Sequence, residues 1–272
     1  MAVQKTLCKN TSFYGLLWHD GKWNEPFQFF PEISSWLKES VERVRKANPE
    51  LYDFVTKGPK PLIDISLKSD KERFAQCFVQ GTEKGVEIFF EPYKLEELLK
   101  GLNQEDKVSF LTYWVAHEME HARQGQRGNV LYVMKENTKK QPSVEQDIVL
   151  EADATAVGIV TAQKAGLTLD ARKALEKWFQ TPIRNNQTGI VYGILIPNLG
   201  DILDSGESFE EMEEHLFKED LRNRISIKKN QGHKVDSFSQ NLQKVVQHPD
   251  ALAEYSKIHP SINRSQNLSK TY

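Results

Sequence analysis

The chain has 272 residues, 39% of them hydrophobic and 27% charged, and its 36 basic and 38 acidic residues leave a net charge of -2. That composition is globular and sufficient for one large domain or two small ones. The near-balance of charge argues against a basic footprint for nucleic acid or an anionic membrane. No apolar run reaches the length of a membrane span, and the N-terminus lacks the apolar core of a secretory signal. Two cysteines, Cys8 and Cys77, make no disulfide framework. These features suit a cytoplasmic protein or one exported without a cleavable signal peptide.

In chain order, residues 11–31 are rich in aromatics interrupted by Gly15, Gly21 and Pro26, which predicts short strands or a packed loop. Ile33, Trp36, Leu37, Val41 and Val44 have helical spacing that ends near Asn48-Pro49. A shorter helix over Leu51, Phe54 and Val55 stops at Gly58-Pro59. The period then changes. Ile63, Ile65 and Leu67 alternate with Asp64 and Ser66, which predicts a half-buried strand. Phe74–Val79 and Val86–Phe90, joined by the loop 81–85, predict a hairpin that completes a small sheet. A helix is expected from Tyr93 to Leu102.

Asn103 is a good N-cap for the next helix, with Glu105 and Asp106 in its first turn. Val108, Leu111, Val115, Met119 and Ala122 form its apolar stripe. Phe110, Trp114, His117, His121 and Gln124 form a neighbouring stripe, and Gly125 and Gly128 are expected to end the helix. Glu120 is expected on a solvated face. After a polar linker at Lys135–Gln141, Ser143 to Gln146 fits a capping box for a helix running to about Ala165. Asp170 is the expected cap of a helix through Phe179. Residues 184–207 read as loop, helices are expected at 208–224 and 236–247, and the tail from Ser265 is polar.

His117-Glu118-Met119-Glu120-His121 is an H-E-x-x-H motif. Histidines four apart share a helical face, so their imidazoles can converge on one cation, and the Glu between them is the general base of metalloprotease sites. Catalytic zinc takes three protein ligands and leaves a fourth position open. A third His six residues after His121 is excluded, because Arg127 stands there and Gln124 replaces the midway Gly. Glu151, in the following helix, is the candidate third ligand. Its face carries Asp147, Ala154, Gly158 and Ala162, small enough for that helix to pack closely on the motif helix. Asp153 points elsewhere and could only support the site from behind.

His117-Glu118-x-x-His121 followed by Glu151-Ala152-Asp153-Ala154 resembles the zincin metallopeptidases with a glutamate third ligand, the gluzincins. The likeness covers roughly residues 60–165, and its spelling is most similar to poorly characterised bacterial zincin-like domains. Members often place an Asp four residues after the ligand Glu to orient a zinc His; here that position is Thr155, which leaves the orienting partner open. The resemblance implies an α+β, mostly helical zincin-like fold with a small mixed sheet before the motif helix. It implies one domain over 1–272, with a core at 60–165 and extensions at 1–59 and 166–272 packed on it.

The implied activity is zinc-dependent hydrolysis of a peptide or protein substrate, with one zinc ion on His117, His121 and Glu151 and Glu118 as base. An oxyanion donor from downstream is implied too: Tyr192, His215 and His233 are the candidates, Tyr192 preferred for its loop-like surroundings. Val86–Phe90 is the expected edge strand for aligning the substrate. Cys77 lies upstream as the Cys ligand of peptide deformylases does, but its flanking residues do not match their motif, and it reads as a strand-core residue. The alternatives are a non-catalytic zinc-containing binding module and a secreted bacterial effector protease with one narrow target.

Overall fold

The computed structural model describes residues 11–58, 61–70, 77–81, 85–128 and 144–233. The expected linker, the helix at 236–247, the polar tail and Cys8 lie outside them. The aromatic-rich start folds as β1 (Thr11–His19) and a short return, β2 (Lys22–Trp23), joined through Asp20 and Gly21, both at positive φ. Two helices follow, α1 (Pro31–Ala47) and α2 (Pro49–Lys57). Asn48 separates them, and its side chain accepts from Leu51 N at 3.1 Å to cap the second.

Next come β3 (Leu62–Asp70), β4 (Cys77–Gly81) and β5 (Val86–Phe90). The strand order is β2-β1-β3-β5-β4, with β3 and β5 parallel and the other pairs antiparallel. This corrects two expectations. Val86–Phe90 is not an edge strand: it lies between β3 and β4, and β4 is the edge. Nor is β3 half-buried, because Asp64 and Ser66 are buried along with Ile65 and Leu67. A central strand takes polar residues inside when they find partners, and Asp64 Oδ1 lies 2.6 Å from His19 Nδ1 on β1.

Helix α3 (Pro92–Leu98) is capped by Glu91, whose carboxylate accepts from Lys94 N. Helix α4 (Gln104–Gly128) carries the H-E-x-x-H motif. Asn103 Oδ1 accepts from Asp106 N at 3.0 Å, as an N-cap should, and the helix runs through Gly125 rather than ending there. Helix α5 (Val144–Lys164) packs along it. The small-residue face of α5 performs as its sequence implies. A Cβ on Gly158 would fall 2.9 Å from Tyr113 Cδ2 of α4, so only glycine permits this approach.

Helix α6 (Leu169–Gln180) is capped by Thr168, whose hydroxyl accepts from Ala171 N, and not by Asp170. The stretch expected to be loop holds a small hairpin, β6 (Ile183–Arg184) with β7 (Val191–Gly193), and α7 (Leu199–Leu203). Helix α8 (Phe209–Asn230) starts with a complete capping box between Ser208 and Glu211 and returns across α5.

The result is α+β and mostly helical, with one buried apolar cluster from Leu17 of β1 to Ile225 of α8. Helix α4 lies at its centre against α1, α2, α5 and α6. That explains why Glu120, expected in solvent, is 0% exposed. The face it occupies is covered, and it survives there as an ion pair with the buried Arg123. No helix among the described residues is long and apolar enough to cross a membrane.

Candidate metal centre

His117 and His121 point the same way from the buried second half of α4, with their Nε2 atoms 3.1 Å apart. Glu151 reaches them from α5, with Oε1 3.3 Å from His121 Nε2 and Oε2 3.8 Å from His117 Nε2. One ligand atom from each of the three falls within 4.8 Å of the other two; no other group of three His, Cys, Asp or Glu among the described residues does this. Ligand atoms about 2.0–2.1 Å from a tetrahedral ion stand roughly 3.3 Å apart, so this set fits a divalent cation that favours nitrogen and carboxylate donors. The imidazoles and the carboxylate expected to meet therefore do so.

The rings are held from several sides. Tyr113 and Trp114 pack on His117 with centroids 5.7 and 5.9 Å away. The Ala154 backbone carbonyl interacts with His117, although Nδ1 falls short of full hydrogen-bond geometry. His121 Nδ1 lies 3.0 Å from Gln124 Oε1. Gln124 Nε2 in turn donates to the Leu150 carbonyl at 3.0 Å and to Asp153 Oδ2 at 2.8 Å. Asp153 thus stands behind the site, facing α4 through Gln124.

Without a cation the trio forms an ion pair. Burial and the neighbouring His121 push His117 down to about 3, so it is neutral. Burial alone would lower His121 as well, but the Glu151 carboxylate overrides it and carries the ring up to about 9. Burial would likewise raise Glu151, yet His121, Arg224 and His117 hold it well below the usual carboxylate range. Glu118, next to the trio, is pushed up to about 7 chiefly by burial. Its Oε1 accepts from the Cys77 thiol of β4 at 2.8 Å.

Helix α8 supplies residues that sequence reasoning missed. Arg224 Nη1 lies 3.6 Å from Glu151 Oε2, and its Nε donates to both carboxylate oxygens of the buried Asp220, at 3.0 and 2.9 Å. Arg224 Nη2 also approaches Thr155 Oγ1 at 3.4 Å. The position where an orienting Asp was sought therefore holds a hydroxyl that faces the Arg224–Asp220 pair. Glu151 and Arg224 border a cleft of about 200 Å³ whose other lining residues are Ile148, Ile183, Leu195 and Ile227 with the polar Asp147, Lys228 and Gln231.

The three downstream candidates lie on β7, on α8 and just past the end of α8. Tyr192 sits on β7, its backbone carbonyl bonded to Asn230 Nδ2, and its side chain does not line this cleft. His215 pairs with Glu207 at 3.1 Å, and it precedes Arg224 by nine residues (224 minus 215), about 13 Å along the helix. His233 is exposed past the end of α8. A larger hollow of about 660 Å³ beside Trp36, Leu99 and Lys107 includes none of the trio.

Of the missed residues, Gln124 had a signal: it follows His121 by three positions in the same stripe, within reach of its ring. Cys77 stood out only for its position upstream of the motif, which did not foretell a bond to Glu118, and Arg224 had no signal.

No family model matches the chain, and neither a curated protein nor a solved structure matches it.

Proposed function

We propose that this chain is a zinc-dependent metallopeptidase of the zincin type, with His117, His121 and Glu151 as ligands and Glu118 as general base. The observation that carries the reading is the convergence of those three side chains beside a buried carboxyl group with a pKa of about 7. A base poised near neutral pH combines the ionised form with enough proton affinity to be useful. A cation with nothing but structural duties needs no such neighbour.

Zinc, when bound, acidifies water and polarises a carbonyl. The chain's own residues do the rest. Glu118 takes a proton on Oε2, because Oε1 is engaged by Cys77, and passes it to the leaving amine. Arg224, permanently charged and fixed by Asp220, faces the cleft and offers guanidinium protons to negative charge developing on a substrate oxygen. That role falls to Arg224 rather than Tyr192. The cleft pairs Ile148, Ile183, Leu195 and Ile227 with Asp147, Lys228 and Gln231, a mixed lining that suits an extended peptide or protein substrate.

The test is elemental analysis of protein purified without added metal, followed by hydrolysis of a fluorogenic peptide library. Wild type is expected to carry one zinc and cleave. His117→Ala is expected to lose both properties, and Glu118→Gln to keep zinc and lose cleavage. Zinc without cleavage of any peptide would favour a binding module, and turnover by Glu118→Gln would remove Glu118 as the base.

A further inference from the structure

We propose that Gln124 and Asp153 are positioning residues that fix the tautomer and orientation of His121, taking over the task that an acid at position 155 would perform. The inference rests on the metal-site reading above.

The hydrogen bonds leave one consistent assignment. The Leu150 carbonyl and the Asp153 carboxylate can only accept, and both face the Gln124 amide nitrogen at 3.0 and 2.8 Å. A flipped amide would put its oxygen against two other oxygens. Gln124 Oε1 therefore faces His121 Nδ1 at 3.0 Å, and an amide oxygen only accepts. The proton must be on Nδ1, so His121 presents the lone pair of Nε2 to the cation. All three side chains are buried, so water does not substitute for a missing partner.

The same chain of bonds ties two helices together. Asp153 follows Glu151 by two residues on α5, so one helix supplies a ligand on one side and an anchor for the other helix's ligand on another. A slide of α5 along α4 would disturb both. Thr155 meanwhile bonds to Arg224, Asp220 and Tyr113.

The experiment measures zinc affinity by competition with a chromophoric chelator, for wild type, Gln124→Met, Gln124→Glu and the pair Gln124→Glu with Asp153→Asn. Orienting partners of metal-bound histidines are worth about 10–100-fold in affinity, and Gln124→Met is expected to lose that much. Gln124→Glu alone sets two carboxylates face to face in a buried site and is expected to lose at least as much. The double variant lets a carboxylate at 124 accept from both His121 and the new amide at 153, while one of its oxygens still faces the Leu150 carbonyl, and is expected to recover part of the affinity that Gln124→Glu loses. A merely structural role would not give that rescue.

Long-range ¹H–¹⁵N NMR of zinc-loaded wild type should show His121 protonated on Nδ1. Zinc binding by Gln124→Met within about twofold of wild type would overturn the positioning role and leave the metallopeptidase reading standing. So would an Nε2-protonated His121. A wild-type chain that binds no zinc overturns both.

Discussion

The Cys77 thiol donates to Glu118 Oε1 at 2.8 Å, joining the edge strand of the sheet to the motif helix across 41 residues of sequence. Burial, and then the adjacent carboxylate, push the thiol's pKa up, so it is a neutral donor rather than a nucleophile or metal ligand. It fixes one oxygen of Glu118 and leaves the other for chemistry. It also opposes, with His121, the burial that raises this carboxyl group.

Cys77→Ala should therefore raise the Glu118 pKa further. A base works only when ionised, so the acid limb of the pH–rate profile should move to higher pH, by up to about one unit. Cys77→Ser keeps a donor and should stay close to wild type. An unmoved acid limb in Cys77→Ala, measured on a peptide that the wild type cleaves, would show that the bond does not tune the base.

Metal loading should release a proton. At pH 7.5 the metal-free His121 is charged, because Glu151 overrides burial and raises it to about 9, and a cation can bind Nε2 only after that proton leaves. Calorimetry in buffers of different ionisation enthalpy should show about one proton released per zinc, with apparent affinity rising with pH and levelling off above about 9. Stability follows the same linkage. A raised folded-state pKa means the native state binds the extra proton, so this contribution is full below the unfolded value of 6.5 and is lost as pH rises through about 9. Glu118, raised to about 7, acts in the same direction at the lower end of that window. Metal-free protein should lose thermal stability from pH 6.5 to 9, and zinc-loaded protein should lose less. Zinc uptake without proton release would contradict the ion-paired metal-free state.

Arg224 and Asp220 should prove unequal in stability and in catalysis. Asp220 is fully buried, and Arg224 holds both its oxygens. Arg224→Met leaves an unpaired buried carboxylate and should cost roughly 3 kcal/mol in urea unfolding. Adding Asp220→Leu removes the orphaned charge and should recover most of that loss. Turnover should stay low in the double variant, because the guanidinium facing the cleft is still missing. Full recovery of kcat along with stability would make Arg224 a scaffold residue only.

The sheet and site also show where sequence reasoning ran out. Strand order is set by long-range pairing, so the inner position of Val86–Phe90 had no local mark, and an interior strand and a hydrophobic edge strand share one composition. Glu120 looked solvated because charge and helical phase are local, whereas the helices that enclose α4 come from distant parts of the chain. Tyr192 was singled out for the loop around it, yet that stretch folds as a hairpin, because the pairing of β6 with β7 joins residues with no alternating apolar pattern.

The sequence alone determined the pair of imidazoles, because four residues along an α-helix return a side chain to the same face whatever surrounds it. It also determined the close approach of α5, since Ala154, Gly158 and Ala162 leave no bulk on that face. Which groups support the metal ligands was decided only by tertiary structure. Gln124 meets Asp153, Cys77 meets Glu118 and Arg224 meets Glu151 across spans of 29, 41 and 73 residues (153 minus 124, 118 minus 77, 224 minus 151). Those meetings depend on how helices and strands cross when the whole core packs, and no local periodicity encodes a crossing.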